Sequence, residues 1–323
     1  MKKLLSIRIL SALLCLLLFV SLLPVQAHAA GAIDTNRTAT LTIDYRYDSA
    51  ALSDAQFEAY KVASVSPYVE FTPTAAFAGY PVSMDGLDAS GWNRLAMTLK
   101  GYVQADNLTP FAADKTDAYG RLRFTMKPGL YLIIGKGITK GGYSYTCAPF
   151  MVCLPDMDMV NNVWIYDTAV SPKTVRDMDY DPLAPATITR KVLKAWKDNG
   201  HTADRPKEIT VQLFCDGKVY DTVTLNEKNN WRYTWDALER GHDWTVVEKE
   251  VSGYTVKITQ EGQTFVVTNT NKKPPVTPPP ASGASGNKLP QTGVLWWPVP
   301  ILLISGLFFV TIGLCGRRKR NDA

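Results

Sequence analysis

The fold is decided by the run Thr187-Ile-Thr-Arg-Lys-Val-Leu-Lys-Ala-Trp-Lys197. Within it Val192, Lys194 and Trp196 occupy alternate positions, and Lys197 lies out of phase with them. Because successive side chains of a β-strand point to opposite faces of a sheet, the first three share one face. The run therefore predicts a strand that turns a lysine towards the protein core, together with a valine and a tryptophan.

Similar runs continue to residue 271 and are separated by residues that favour turns. We predict seven strands here, at 187–197, 208–214, 219–225, 231–235, 244–250, 254–259 and 264–270. Short strands at such spacing are typical of a β-sandwich. Two of them place a further polar residue at an inward position: Glu248 shares its face with Val246, and Asn269 shares its face with Val267.

These three inward polar residues predict a covalent bond. Burial favours the neutral form of a lysine, which is then a nucleophile, and keeps a carboxyl group protonated. First and last strands commonly lie side by side in such sandwiches, which would bring Lys194 to Asn269, and the acid of Glu248 could polarise the amide for attack. We therefore predict a Lys194–Asn269 isopeptide bond formed with loss of ammonia. The alternative is a Lys194–Glu248 salt bridge with an incidental asparagine.

Several short stretches of this region carry a family resemblance: Lys194-Ala-Trp-Lys-Asp198, Arg205-Pro206, Trp244-Thr-Val-Val-Glu248, Gly253-Tyr254 and Val267-Thr-Asn-Thr270. They resemble the collagen-adhesin B-type (Cna B-type) domain over nearly all of 186–271. The resemblance implies a transthyretin-like sandwich with an autocatalytic isopeptide bond. In it Lys194 and Asn269 would be the bonded partners and Glu248 the catalytic acid, and Trp244 stands where tyrosine is usual.

Residues 32–173 predict another β-sandwich with one inserted helix. Leu41 and Ile43 alternate with polar residues, as do Leu122 and Phe124. The helix follows a candidate N-cap at Ser90 and has one apolar face, formed by Trp92, Leu95, Ala96, Leu99 and Val103. The fold class predicted for the whole chain is thus all-β, with two Ig-like or transthyretin-like sandwiches in tandem. The first lacks a matching Lys–acid–Asn trio, so no isopeptide bond is predicted there.

The end of the first domain carries a second resemblance. Trp164-Ile-Tyr-Asp-Thr-Ala-Val-Ser-Pro-Lys173 is similar to the pilin motif W-x3-V-x-V-Y-P-K of sortase-assembled pili, with Thr168 in place of Val and Ser171 in place of Tyr. The resemblance implies that Lys173 is the acceptor amine for the threonine of another subunit. The alternative is an ordinary lysine at a strand end. The first domain as a whole looks like the N-terminal domain of Gram-positive pilin-type proteins.

Both ends of the chain predict export. Residues 1–29 combine a short basic region, an apolar run and Ala27-His-Ala29, which is typical of a signal peptide cleaved after Ala29. The other end has an apolar stretch at 294–316, long enough to span a bilayer as a transmembrane helix, and a basic cytoplasmic tail at 317–323.

The pentapeptide before the apolar stretch completes a sorting signal: Leu289, Pro290, Gln291, Thr292 and Gly293. The arrangement is similar to the sorting signal of Gram-positive surface proteins. The resemblance implies that a sortase cysteine attacks the Thr292–Gly293 bond and attaches Thr292 to peptidoglycan. The mature protein would then be secreted and covalently anchored to the cell wall, after passing through the plasma membrane as a precursor.

Two linkers are predicted between these parts. Residues 174–185 are rich in Asp and Pro and lack periodicity, which indicates a linker between the sandwiches. Residues 272–288 are rich in Pro, Gly and Ser and predict an extended stalk.

Composition limits the partners. The chain of 323 residues has a formal charge of +5, but outside 1–29 and 293–323 it holds 28 basic and 29 acidic residues, so we predict no nucleic-acid partner. The exported part keeps only His201 and His242 and offers no metal-ligand cluster, so we predict no cofactor, no metal site and no enzyme with turnover. A pair formed by Cys215 and one of these histidines is a remote enzymatic alternative.

Three function classes follow. The first is a sortase-anchored structural subunit of a pilus, backbone or basal. The second is a monomeric wall-anchored adhesin that binds a host or matrix ligand through its first domain. An extracellular enzyme is a distant third.

Overall fold

The computed structural model describes residues 31–178, the first module, and residues 187–276, the second module. In this part of the chain one α-helix is found, α1 (Ala89–Ala105). The strands of the first module are β1 (Ala39–Asp44), β2 (Arg46–Tyr47), β3 (Ala50–Ala51), β4 (Gln56–Val65), β5 (Phe71–Pro73), β6 (Ala112–Lys115), β7 (Arg121–Met126), β8 (Gly129–Gly135), β9 (Ile138–Lys140), β10 (Tyr143–Cys147), β11 (Phe150–Leu154), β12 (Asp156–Asp158), β13 (Val163–Ile165), β14 (Asp167–Val170) and β15 (Thr174–Met178).

The second module contains all seven predicted strands and two short 3₁₀ turns, Thr202–Asp204 and Glu227–Asn229. The strands are β16 (Thr187–Lys197), β17 (Glu208–Cys215), β18 (Lys218–Asn226), β19 (Arg232–Glu239), β20 (Trp244–Glu248), β21 (Tyr254–Glu261) and β22 (Thr264–Asn271).

These strands form a sandwich of two sheets, as predicted. One sheet has the order β19-β16-β22-β21, and the other has the order β18-β17-β20. The first and last strands, β16 and β22, are parallel neighbours in the middle of the larger sheet. β16 has the predicted bounds, whereas β19 runs on to Glu239, beyond the predicted 235. A bulge interrupts its pairing with β16, and Ala237 has a positive φ of 57°.

The first module is also a β-sandwich, so the predicted all-β class is confirmed. A sheet of order β14-β1-β7 faces a sheet of order β11-β8-β4-β5, to which β6 adds by pairing with β4. β1 and β7 show the predicted alternation: buried residues alternate with half-buried ones in β1 and with exposed ones in β7. β8 is buried on both faces, since Tyr131 and Ile133 lie in the sandwich core and Leu130 and Leu132 lie in a second cluster around α1.

The predicted helix is present, but its N-cap is Asp88 and not Ser90. One carboxylate oxygen of Asp88 accepts a hydrogen bond of 2.6 Å from the backbone N–H of Gly91. Ser90 lies inside the first turn and its hydroxyl donates to the same carboxylate at 3.1 Å. A carboxylate at the N-cap satisfies a free N–H group and is favoured by the helix dipole, which explains the earlier start.

The predicted linker at 174–185 is wrong in its first part. Thr174–Met178 forms β15, which pairs with β10 of the first module. Val175 and Met178 are exposed, so the strand lacks the apolar alternation that would have revealed it. Residues 179–186 lie outside the described part of the chain.

Helix α1 joins the two modules in one core. The apolar cluster around it contains Leu95 and Leu99 of the helix, Leu132 of β8, and Val246 and Ile258 of the second module. α1 thus packs between a sheet of the first module and the side of the second sandwich. The prediction of two sandwiches in tandem did not include this shared core.

The first module also covers the open edge of β21. The backbone N–H of Ile258 donates to the hydroxyl oxygen of Thr98 at 2.9 Å, and that of Val256 donates to the carbonyl oxygen of Pro81 at 2.7 Å. An uncovered strand edge is a site for unwanted pairing with other chains. The second module therefore depends on the first for the protection of one of its edges.

Gly101 allows α1 to approach β20 closely. A Cβ atom at Gly101 would lie 3.1 Å from Cγ2 of Val247 and 3.2 Å from the carbonyl oxygen of Val246. We expect Gly101→Leu to lower the free energy of unfolding by about 1–3 kcal/mol, because the helix must move away from β20. Urea unfolding followed by tryptophan fluorescence measures this. Gly79→Leu is the control, since nothing lies within 4 Å of a Cβ there; equal stability of the two variants would contradict the close packing.

Candidate functional site

The candidate site is built on the two parallel central strands of the second module. Lys194 of β16 is paired in register with Val267 of β22, and Trp196 is paired with Asn269. Asn269 therefore lies on the same inward face as Lys194, two residues further along β22. Two residues of a strand span about 7 Å, which a lysine side chain can cover.

Glu248 completes the site from the opposite sheet, at the end of β20. Its Oε1 atom lies 3.4 Å from Nζ of Lys194, and the side chains of these two residues are 2% and 0% exposed. Asn269 is 0% exposed. The structure therefore places all three predicted residues at inward positions and brings Lys194 and Glu248 into contact.

Hydrogen bonding at the site is incomplete. Nζ of Lys194 donates to two backbone carbonyl oxygens at 3.3 and 3.4 Å, those of Ala195 and Val267. Oε1 of Glu248 has only its 3.4 Å ion pair with Lys194, and neither polar atom of the Asn269 amide meets hydrogen-bond geometry with another described residue. A buried polar group left without a partner costs about 1–3 kcal/mol. The isolated side chains are thus an unfavourable arrangement for a protein core.

Burial changes the proton affinities of both ionisable groups. It lowers the pKa of Lys194 to about 8, against the opposing effect of the Glu248 carboxylate. It raises the pKa of Glu248, against the opposing effects of Lys194 and Asn269. Both shifts favour an uncharged amine beside an uncharged acid, which is the pair of protonation states that an amine nucleophile and a general acid require.

Trp196 and an ion pair with one buried partner lie around the lysine. Nζ of Lys194 lies 4.1 Å from the centre of the Trp196 ring. Asp198 is buried and paired with Arg205, and it accepts a hydrogen bond of 3.3 Å from the hydroxyl of Tyr254. The i+2 spacing of Lys194 and Trp196 predicts their contact, whereas the Asp198–Arg205 pair has no signal in the strand periodicity.

The predicted acceptor Lys173 lies elsewhere, on the surface of the first module. It is exposed, in the short connection between β14 and β15. Because β15 is paired to β10, Lys173 sits between two strands of a folded module and not at the start of a free linker. Its use as an acceptor stays a prediction.

The cysteines and histidines fall into separate places. Cys147 packs against the core of the first sandwich, and Cys153 against the cluster around α1, so the two face different cores. Nε2 of His201 lies 3.0 Å from the carbonyl oxygen of Pro274. Cys215 lies beside His242 and Asp216, so the prediction that the chain offers no metal-ligand cluster is wrong. The three residues meet because two turns that are distant in sequence lie together in the fold.

The predicted signal peptide, sorting motif and apolar stretch at 294–316 lie outside the described residues. Among residues 31–178 and 187–276, no helix has the length and apolar character needed to cross a membrane.

Comparison with known proteins identifies the class of the second module. Residues 190–270 match the family model of the Cna protein B-type domain. The predicted resemblance is therefore confirmed for this segment.

The chain is also similar to a curated surface protein. Over 120 residues the chain is 36% identical to a collagen adhesin of Staphylococcus aureus, a match that covers 34% of this chain and 10% of the adhesin. The chain thus spans about a tenth of the length of that curated relative.

Similar solved structures include a single B repeat unit of the S. aureus collagen-binding surface protein Cna, at 18% identity, covering 73% of this chain and 99% of the other, with a TM-score of 0.26. They also include the basal pilin SpaE of Lactobacillus rhamnosus GG, at 15% identity, 73% and 91% coverage, and a TM-score of 0.32.

Asp198 provides a pH-dependent test of the site's surroundings. Its hydrogen bonds with Arg205 hold the pKa of its carboxyl below the usual range. A carboxyl group with a lowered pKa stabilises the fold above its ordinary pKa, and this contribution is lost as the pH falls through the folded value. We expect Asp198→Asn to cost about 1–3 kcal/mol near neutral pH and much less once the pH has fallen through the lowered pKa of the folded carboxyl. Thermal unfolding across pH measures this.

The control for this test is Glu261→Gln, at an exposed strand end. It should leave the pH profile close to that of the parent protein. A penalty for Asp198→Asn that stays constant down to the lowest pH would contradict the role of the carboxylate charge.

Proposed function

We propose that the chain is a sortase-anchored surface protein of the Gram-positive cell wall that serves as a pilin-like structural subunit, stiffened by a Lys194–Asn269 isopeptide bond. The observation that carries this proposal is the buried Lys194–Glu248–Asn269 trio, in a segment that matches the Cna B-type domain. A sorting signal at 289–293, followed by an apolar stretch and a basic tail, supports the anchoring. Sortase and peptidoglycan are the partners that this signal implies.

The chemistry follows from the protonation states at the site. The neutral amine of Lys194 attacks Cγ of Asn269 while the protonated carboxyl of Glu248 polarises Oδ1 of the amide. The new bond joins Nζ of Lys194 to Cγ of Asn269, and the former amide nitrogen leaves with the released amine proton as ammonia. Glu248 keeps its proton throughout and acts once, on its own domain. We propose no enzymatic turnover on other substrates.

The cross-link would remove the unfavourable features of the buried trio. An amide bond replaces an ionisable amine and an unpaired side-chain amide, so no buried positive charge remains. It would also close a long loop between the first and last strands of the module. By analogy with a disulfide across a similar loop, the restriction of the unfolded chain contributes about 4–5 kcal/mol.

Intact mass tests the cross-link. We expect the purified protein to weigh one ammonia less than the mass calculated for the residues it retains, because the reaction releases that molecule. Glu248→Ala should restore the sequence mass, since the acid is missing. Glu239→Ala, at an exposed position of β19, is the matched control and should keep the deficit. A parent protein at full sequence mass would rule the bond out.

Lys173 is the candidate link to other subunits. Its amine is exposed in the connection between β14 and β15, where the enzyme that joins subunits could reach it. A pilin-like motif precedes it at 164–172. We propose that Lys173 accepts the threonine of another subunit, which would place this chain within a pilus or at its base.

A second candidate function is a monomeric wall-anchored adhesin that binds a host or matrix ligand through the first module. It is favoured by the name of the S. aureus relative, a collagen adhesin, although the match covers only part of both chains. It needs the same anchor but no acceptor lysine.

Digests of the cell wall test both the anchor, which the two candidate functions share, and the link to other subunits, which separates them. With Thr292→Ala we expect the protein to leave the wall fraction and appear in the membrane or the medium, since sortase cannot form its acyl intermediate.

With Lys173→Ala we expect high-mass species to disappear while the anchored monomer remains. Lys127→Ala, on the exposed surface of the same module, is the control for the second variant. A monomer band alone in the parent strain would favour the adhesin.

A further inference from the structure

A cluster of metal-ligating side chains lies at one end of the second module, away from the cross-link site. Cys215 is the last residue of β17, Asp216 begins the turn to β18, and His242 lies in the turn between β19 and β20. The sulfur, carboxylate and imidazole atoms that could bind a metal lie within 4.8 Å of one another. The fold therefore brings three different donor types to one point.

Neighbouring groups orient two of these side chains towards that point. Nδ1 of His242 lies 2.6 Å from Oδ2 of Asp216, and Nε2 of His242 lies 3.2 Å from Oε2 of Glu239. The other oxygen of Asp216 accepts a hydrogen bond of 2.9 Å from the backbone N–H of Asp243. A metal-bound histidine commonly donates its second ring N–H to a carboxylate, and Glu239 occupies that place here.

We propose that Cys215, Asp216 and His242 bind one Zn²⁺ ion, with water as the fourth ligand and Glu239 holding the histidine ring. Thiolate, imidazole and carboxylate are the ligand types of zinc sites, whereas Mg²⁺ and Ca²⁺ prefer oxygen ligands alone. Metal–ligand distances of about 2.0–2.3 Å in a tetrahedron separate the ligand atoms by about 3.3–3.6 Å. When the ion binds, the distance between Nδ1 of His242 and Oδ2 of Asp216 must therefore increase slightly, and the sulfur of Cys215 must move closer to both.

The turns allow this adjustment. The side chains of His242 and Asp216 are 37% and 55% exposed, so both can move without disturbing the core. As the ion binds, the thiol proton of Cys215 and the proton shared by His242 and Asp216 pass to solvent, because the ligands must be deprotonated. No oxidation or reduction is involved.

The site would also strengthen the contact between the modules. Asp243, next to His242, is held by Lys100 and Gln104 of helix α1 at 2.8 and 2.9 Å. A metal that fixes the turn around His242 would fix the position of Asp243 as well. The ion is therefore expected to raise the melting temperature of the whole protein.

Titration of the reduced full-length protein with Co²⁺, a spectroscopic substitute for Zn²⁺, tests the proposal. We expect a thiolate-to-cobalt absorption band that saturates at one equivalent, disappears when Zn²⁺ is added, and is accompanied by a rise in melting temperature. Cys215→Ser should abolish the band, and Cys153→Ser, the matched control, should keep it. His242→Gln should weaken binding at least 10-fold, and Glu239→Gln by about 10-fold.

Several outcomes would overturn the site. They are the absence of a saturable thiolate band in the parent protein, a band that persists in Cys215→Ser, and a band that is unaffected by His242→Gln. Either of the last two would assign the metal to another thiol or to an adventitious ion. Binding to the parent protein without any change in melting temperature would reject the strengthening of the module contact.

Discussion

The burial of Lys194 beside Glu248 and Asn269 is the constraint on which the second module depends. An ion pair placed in a protein core loses its hydration, and the attraction between its charges often fails to compensate. Here the pair is accompanied by an asparagine amide without a hydrogen-bond partner among the described residues. The proposed bond between Lys194 and Asn269 would remove the ionisable amine and the unpaired amide together. The same burial that makes the separate groups unfavourable sets the protonation states that the reaction needs.

The position of the first and last strands gives the proposed bond its mechanical meaning. β16 and β22 are parallel neighbours, and a bond between them would join the strand that enters the module directly to the strand that leaves it. A pull between the first module and a wall anchor would then pass through this bond and bypass the remaining strands. Helix α1 adds a second connection, because it shares a core with both modules and covers the edge of β21.

Much of the second module could be predicted because alternation reports directly on burial. The bounds of β16 and the inward positions of Lys194, Glu248 and Asn269 follow from strand periodicity alone. Features that depend on distant contacts could not be predicted in this way. β15 is exposed and shows no apolar pattern. The close packing at Gly101 depends on the position of β20. Cys215 and His242 meet only because two turns lie at the same end of the sandwich.

The central claim is the Lys194–Asn269 bond, and peptide mapping by tandem mass spectrometry tests it most directly. Proteolysis of the full-length protein should release one branched peptide in which the fragment containing Lys194 is joined to the fragment containing Asn269. Fragment ions should assign the link to these two side chains. Recovery of the two peptides only as separate linear species, with an intact lysine and asparagine, would contradict the account.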